Sequence, residues 1–86
     1  MKEPQKGQLV FFIYKREFLA GKVLEKKGER YRIMTYMSGK RYFSLKRNHF
    51  SLSYDSMLQA FRQKFPGQTP DVDDFIDLVK YLRSGA

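Results

Sequence analysis

The chain contains no cysteine, which removes disulfides and thiolate metal sites together and is compatible with a reducing compartment, the cytoplasm by default. Histidine occurs once, as His49 beside Arg47 and Phe50. With no second histidine to complete a ligand set or a proton relay, a structural or simply exposed role is expected for it. Long apolar runs are also missing. The longest, Leu9–Tyr14, falls far short of the roughly 20 residues a membrane helix needs, and residues 1–6 lack the apolar stretch of a signal peptide, so no membrane is expected as a partner. There is no glycine-rich phosphate loop and no nucleophile elbow. The segment is accordingly expected to be non-catalytic and to hold no cofactor and no metal of its own.

Acidic residues are scarce in one half only. Residues 1–52 carry thirteen Lys/Arg against four Glu, a balance of +9, whereas residues 53–86 carry four against five Asp, a balance of −1. The first half also carries the aromatic and β-branched alternation, which places the positive charge on a small β-structure with a helical appendix behind it. Such asymmetry points to a polyanion, and among polyanions to nucleic acid. At 86 residues, 42% hydrophobic and with fourteen aromatics, the composition suits a small folded domain rather than a disordered basic tail.

Residues 8–14 form a β-rich run with apolar residues on both alternating faces. Residues 18–24 follow the charged turn at 15–17, and Gly21 within them signals a bend or a close backbone approach. After the turn at 25–29, residues 30–36 alternate charged with apolar side chains, and Ser38-Gly39-Lys40 turns the chain into residues 41–45. A short fifth strand is expected at 50–52. Five short strands with tight turns predict a mainly β fold with added α, a small closed or nearly closed SH3-like or Tudor-like barrel over residues 1–52. Two short helices over residues 53–86 would follow it, as an extension or as the joint to a further domain.

The first helix is expected from Asp55 to Phe65, with Met57, Leu58, Phe61 and Phe65 on one face and Pro66-Gly67 ending it. For the second, Thr69 is a natural N-cap, Pro70 suits the first helical position, and Asp71, Asp73 and Asp74 favour the positive end of the dipole. Its apolar stripe reads Val72, Phe75, Ile76, Val79 and Leu82. The same aspartates with Asp77 could suggest a divalent cation, but a helix start attracts acids anyway and no ligand loop surrounds them.

In an up-and-down barrel, alternate turns share one end. Lys15 and Arg16 in the first turn should then lie near Lys40 and Arg41 in the third, flanked by Tyr14, Phe18, Tyr36 and Tyr42. Cations that neutralise phosphates and rings that stack on unpaired bases suit single-stranded RNA. Charge reversal at Lys15, Arg16, Lys40 and Arg41 is expected to weaken binding more than reversal at Lys26 and Lys27. The opposite end gathers Lys26, Lys27, Arg30, Lys46 and Arg47 with fewer rings. Two other readings use the same outline. A Tudor-like barrel would cage a methylated cationic side chain between these turns, although Glu17 is the only acid there to favour it. Alternatively, the domain would dock an acidic protein through its helices.

Gly7-Gln8-Leu9-Val10, then Phe18-Leu19-Ala20-Gly21-Lys22-Val23-Leu24-Glu25, then Gly28 with Arg30-Tyr31-Arg32-Ile33, Gly39, and Leu45 leading to Phe50-Ser51-Leu52, resembles the amino-terminal barrel of bacterial exoribonuclease-II-like proteins. The resemblance covers about residues 6–52. It implies an accessory RNA-binding domain ahead of helices and a catalytic domain, which hydrolyses RNA from the 3′ end with magnesium held by aspartates. Those aspartates belong to that other domain, and Asp71 to Asp77 are not their counterparts. It also implies docking of this segment against the catalytic part of the same chain.

Overall fold

The computed structural model describes residues 3–69 and 73–84. Strand β1 (Leu9–Tyr14) turns directly into the long β2 (Glu17–Lys27), followed by β3 (Arg30–Tyr36) and β4 (Lys40–Lys46), all antiparallel and in the sheet order β1-β2-β3-β4. A single 3-10 turn (Arg47–His49) leads to helices α1 (Tyr54–Lys64) and α2 (Asp73–Arg83). This is a small, mainly β domain with an open four-stranded sheet and two helices.

The expected five-stranded closed barrel is not formed. Residues 50–52 contribute one bridge, in which Ser51 exchanges both backbone hydrogen bonds with Phe11, at 2.7 and 2.8 Å. The 3-10 turn ends at His49, and Ser53 already caps α1, its Oγ accepting from the Ser56 N–H at 3.2 Å. The chain between them is long enough for one hydrogen-bonded pair and no ladder.

The sheet is nevertheless strongly coiled. Phe12 and Tyr14 on β1 each bring their rings to 5.1 Å from Phe43 on β4. Three strand spacings of about 4.8 Å would hold those strands roughly 14 Å apart in a flat sheet. Register and alternation put Val10, Phe12, Leu19, Val23, Ile33 and Phe43 on the inner face. Gly21 lies there too, against β3: a Cβ on it would sit 2.5 Å from Ile33 Cγ2 and 2.8 Å from the Met34 carbonyl oxygen, so the close approach expected at this glycine is present. Buried Thr35 on that face donates its hydroxyl to the Ala20 carbonyl at 2.5 Å, whereas the buried Tyr31 hydroxyl, two turns of the alternation away, has no hydrogen-bond partner among the described residues.

Phe11, Phe18 and Ala20 occupy the outer face, where the helices cover them. The Phe18 ring meets Phe61 of α1 at 4.9 Å and Phe75 of α2 at 5.9 Å. A single cluster of buried side chains therefore runs from Val10 in β1 to Leu82 in α2. On α1, Met57 and Phe61 are buried and Leu58 and Phe65 half-buried, as the 3.6-residue spacing predicts. On α2 the inward positions are Phe75, Leu78 and Leu82, with Val79 at the margin, while Ile76 is 46% exposed. Ile76 thus leaves the expected stripe and Leu78 enters it. Pro70, Asp71 and Val72 lie outside the described residues.

The β1–β2 turn is unusual in its residues. Tyr14 pairs with Glu17 across Lys15 and Arg16, whose φ angles are +49° and +67°. Two left-handed residues make a type I′ hairpin turn, which favours Asn-Gly because a Cβ is penalised in that region. Lys15→Asn with Arg16→Gly is therefore expected to stabilise the fold by about 1 kcal/mol, read from the urea midpoint at unchanged slope.

Candidate nucleic-acid interface

Cross-strand register sorts the basic residues of β3 and β4 onto one face. Arg30 pairs with Lys46, Arg32 with Ser44, Met34 with Tyr42, and Tyr36 with Lys40. Partners directly opposite share a face, so Arg30, Arg32, Tyr36, Lys40, Tyr42 and Lys46 all stand on the outer surface. All six are exposed, and Tyr42 is 52% and Tyr36 44% accessible. The Arg32 guanidinium lies 4.6 Å from the centre of the Tyr42 ring, and Arg30 donates to the Ser44 carbonyl at 3.0 Å. Both guanidiniums are thereby held along the sheet surface, over a shallow hollow that Glu25 and Lys27 also line. Helix α2 borders this face through Tyr81, whose ring is 4.7 Å from Tyr36.

Cations outnumber acids on this face, where Glu25, opposite Arg32 across β2 and β3, is the carboxylate that shares the hollow. Among the described residues no carboxylate lies within 4 Å of Arg30, Arg32, Lys40 or Lys46. The β2–β3 hairpin differs, since Lys26 pairs with Glu3 at 2.8 Å and Lys27 with Glu25 at 3.5 Å. The hydrogen bond and charge of Lys26 hold the Glu3 carboxyl below its ordinary value, and the hydrogen bond to Glu3 holds the Lys26 ammonium above its own. A lowered carboxyl loses its contribution as pH falls and a raised ammonium as pH rises, so this pair persists throughout the neutral range. Both partners are exposed, so the pair adds little to stability.

The eight residues expected to form one rim do not share one surface. Tyr36, Lys40 and Tyr42 lie on the outer face just described. Arg41 pairs with buried Thr35 on the opposite face of the sheet. Lys15 sits over its neighbour Tyr14 at 5.2 Å, and Arg16 over Phe65 beyond the end of α1 at 5.6 Å. Phe18, at 4% exposure, is a core ring and presents nothing to a ligand. Arg30 and Lys46 belong to the face although the turn-based reading assigns them to the far end, and Arg32, which that reading assigns to neither end, belongs to it too. The Arg-Tyr-Arg-Ile alternation of β3 carried that signal, because residues two apart on a strand point the same way.

Between the first and third turns, where a methyl-cation cage would sit, Glu17 and Tyr36 border a hollow closed by Phe75 and Leu78 of α2. Phe18 and Phe75 are buried there, which leaves Tyr36 as the exposed ring. Among the described residues no group of three or more His, Cys, Asp or Glu side chains could hold a metal ion, and no helix is long and apolar enough to cross a membrane. Comparison of the chain with family models, with characterised proteins and with solved structures gives no match.

Proposed function

We propose that this domain binds single-stranded RNA and acts as a non-catalytic accessory module of a cytoplasmic, exoribonuclease-II-like RNA-degrading protein, guiding RNA toward a catalytic domain elsewhere in the parent chain. The observation that supports RNA most directly is the outer face of β3 and β4, where four cations with no carboxylate within 4 Å among the described residues accompany Tyr36 and Tyr42. Exposed rings offer sequence-tolerant stacking and fixed cations replace the counterions of the backbone. The Lys15-Arg16 turn adds to this, because it spends local backbone energy on two cations.

Anisotropy of a labelled single-stranded RNA, measured across a salt series with duplex RNA and single-stranded DNA as competitors, tests the reading. Log affinity is expected to fall linearly with log salt, and Tyr42→Ala to cost about 1–3 kcal/mol of binding in a folded protein. No binding at low salt would remove the RNA reading and favour an acidic protein partner docked on the helices.

A further inference from the structure

The coiled sheet does not close, and the gap between its two edges is a built cavity of about 320 Å³. That lies at the lower end of the range for small-molecule sites, roughly 300–1,000 Å³. Its apolar lining includes Phe12 and Tyr14 from β1 with Phe43 of β4 packed against both, Leu45 of β4, Phe50 after the 3-10 turn and Met57 of α1. Polar groups stand at its margin: Asn48 and His49 on the 3-10 turn, and Lys64 at the end of α1. All three are exposed, and their side chains make no hydrogen bond to any other described residue.

We infer that this seam is a binding slot for one unpaired RNA base, a proposal that rests on the RNA reading above and specifies where a nucleotide is held. An aromatic-walled slot suits a planar heterocycle, and an amide with an imidazole can together donate to and accept from a base edge. Cations gather on its Tyr14 side. Lys15 lies over the Tyr14 ring, Lys64 lines the slot, and Arg16 rests on Phe65, the residue after Lys64. A phosphate attached to a slotted base has partners there.

The slot is also continuous with the outer face. Alternation along β4 sends Tyr42 and Ser44 outward while Phe43 and Leu45 point into the seam. A single strand lying on Arg32 and Tyr42 therefore needs only to cross the β4 edge to tuck in a base. Because Phe43 already touches both Phe12 and Tyr14, an added β-strand would have to displace that ring, whereas a flat base meets it as a stacking surface.

The test is a nuclear magnetic resonance titration of the isotope-labelled 86-residue chain with the four ribonucleoside 5′-monophosphates, and with ribose 5-phosphate as the base-free control. At least one nucleotide should shift the amide signals of Phe43, Leu45, Asn48, His49 and Ser51, and ribose 5-phosphate should not. Asn48→Ala with His49→Ala alters only exposed side chains and should lower affinity for a single-stranded RNA at least fivefold while the spectrum stays folded. Equal shifts from ribose 5-phosphate, or unchanged RNA affinity in the double variant, would overturn the slot and leave the outer-face reading intact. Failure of the unaltered chain to bind RNA at low salt would overturn both.

Discussion

Phe18→Ala is expected to cost about 3–5 kcal/mol, from lost burial and the cavity left behind. A domain of 86 residues has a total stability of about 4–13 kcal/mol, so the variant should be largely unfolded or melt far below the parent. The magnitude follows from position. Phe18 is 4% exposed and its ring meets Tyr54 and Phe61 of α1 and Phe75 of α2. It is the point at which both helices join the sheet, and smaller side chains cannot reach all three rings. Urea unfolding followed by circular dichroism measures the loss. Ile76→Ala on the same helix pair is the control, and at 46% exposure it should change stability by about 0.5 kcal/mol or less. Equal losses from the two variants would mean that the helices do not pack through Phe18.

Reversing Arg30, Arg32, Lys40 and Lys46 to Glu is expected to weaken single-stranded RNA binding on the order of 100-fold at moderate salt. Each phosphate contact on a single strand contributes about 0.7 to the slope of log affinity against log salt, so loss of four should flatten it by about 3. Reversal of Lys26 and Lys27 should do much less. These two already face Glu3 and Glu25, and a cation engaged by a carboxylate has fewer counterions to release. Anisotropy over the same salt series, on variants shown to be folded, decides it. Equal losses from the two sets would mean that the charge acts as a diffuse field and that the outer face is no specific surface.

The local pattern of residues was legible well before the tertiary arrangement. Hairpin turns fell where charge and glycine clusters predicted them, Gly21 marked a real close approach, and the stop of α1 at Pro66-Gly67 followed from residue type alone. The fifth strand was not legible as a failure, since Phe50-Ser51-Leu52 has strand composition; what truncates it is the cap at Ser53 and the 3-10 turn before it. Placing the cations by turn rather than by strand face also misassigned Arg41. Tyr42 and Arg41 are neighbours in the chain and stand on opposite faces of the sheet.

What the sequence alone determined here is whatever depends on short-range chemistry. That covers the β-then-α order, the concentration of positive charge in the first 52 residues, the turn positions and the amphipathic face of α1. Tertiary structure decided which surfaces exist. Packing of α1 and α2 on the outer face of the sheet withdraws Phe18 from solvent, turns Leu78 inward and Ile76 outward, and leaves Arg30, Arg32 and the outward side chains of β4 exposed. Coiling of the sheet brings β1 and β4 within ring contact without pairing them, which creates the seam. Both outcomes depend on which distant apolar surfaces find each other, and that is a property of the assembled core rather than of any run of residues within it.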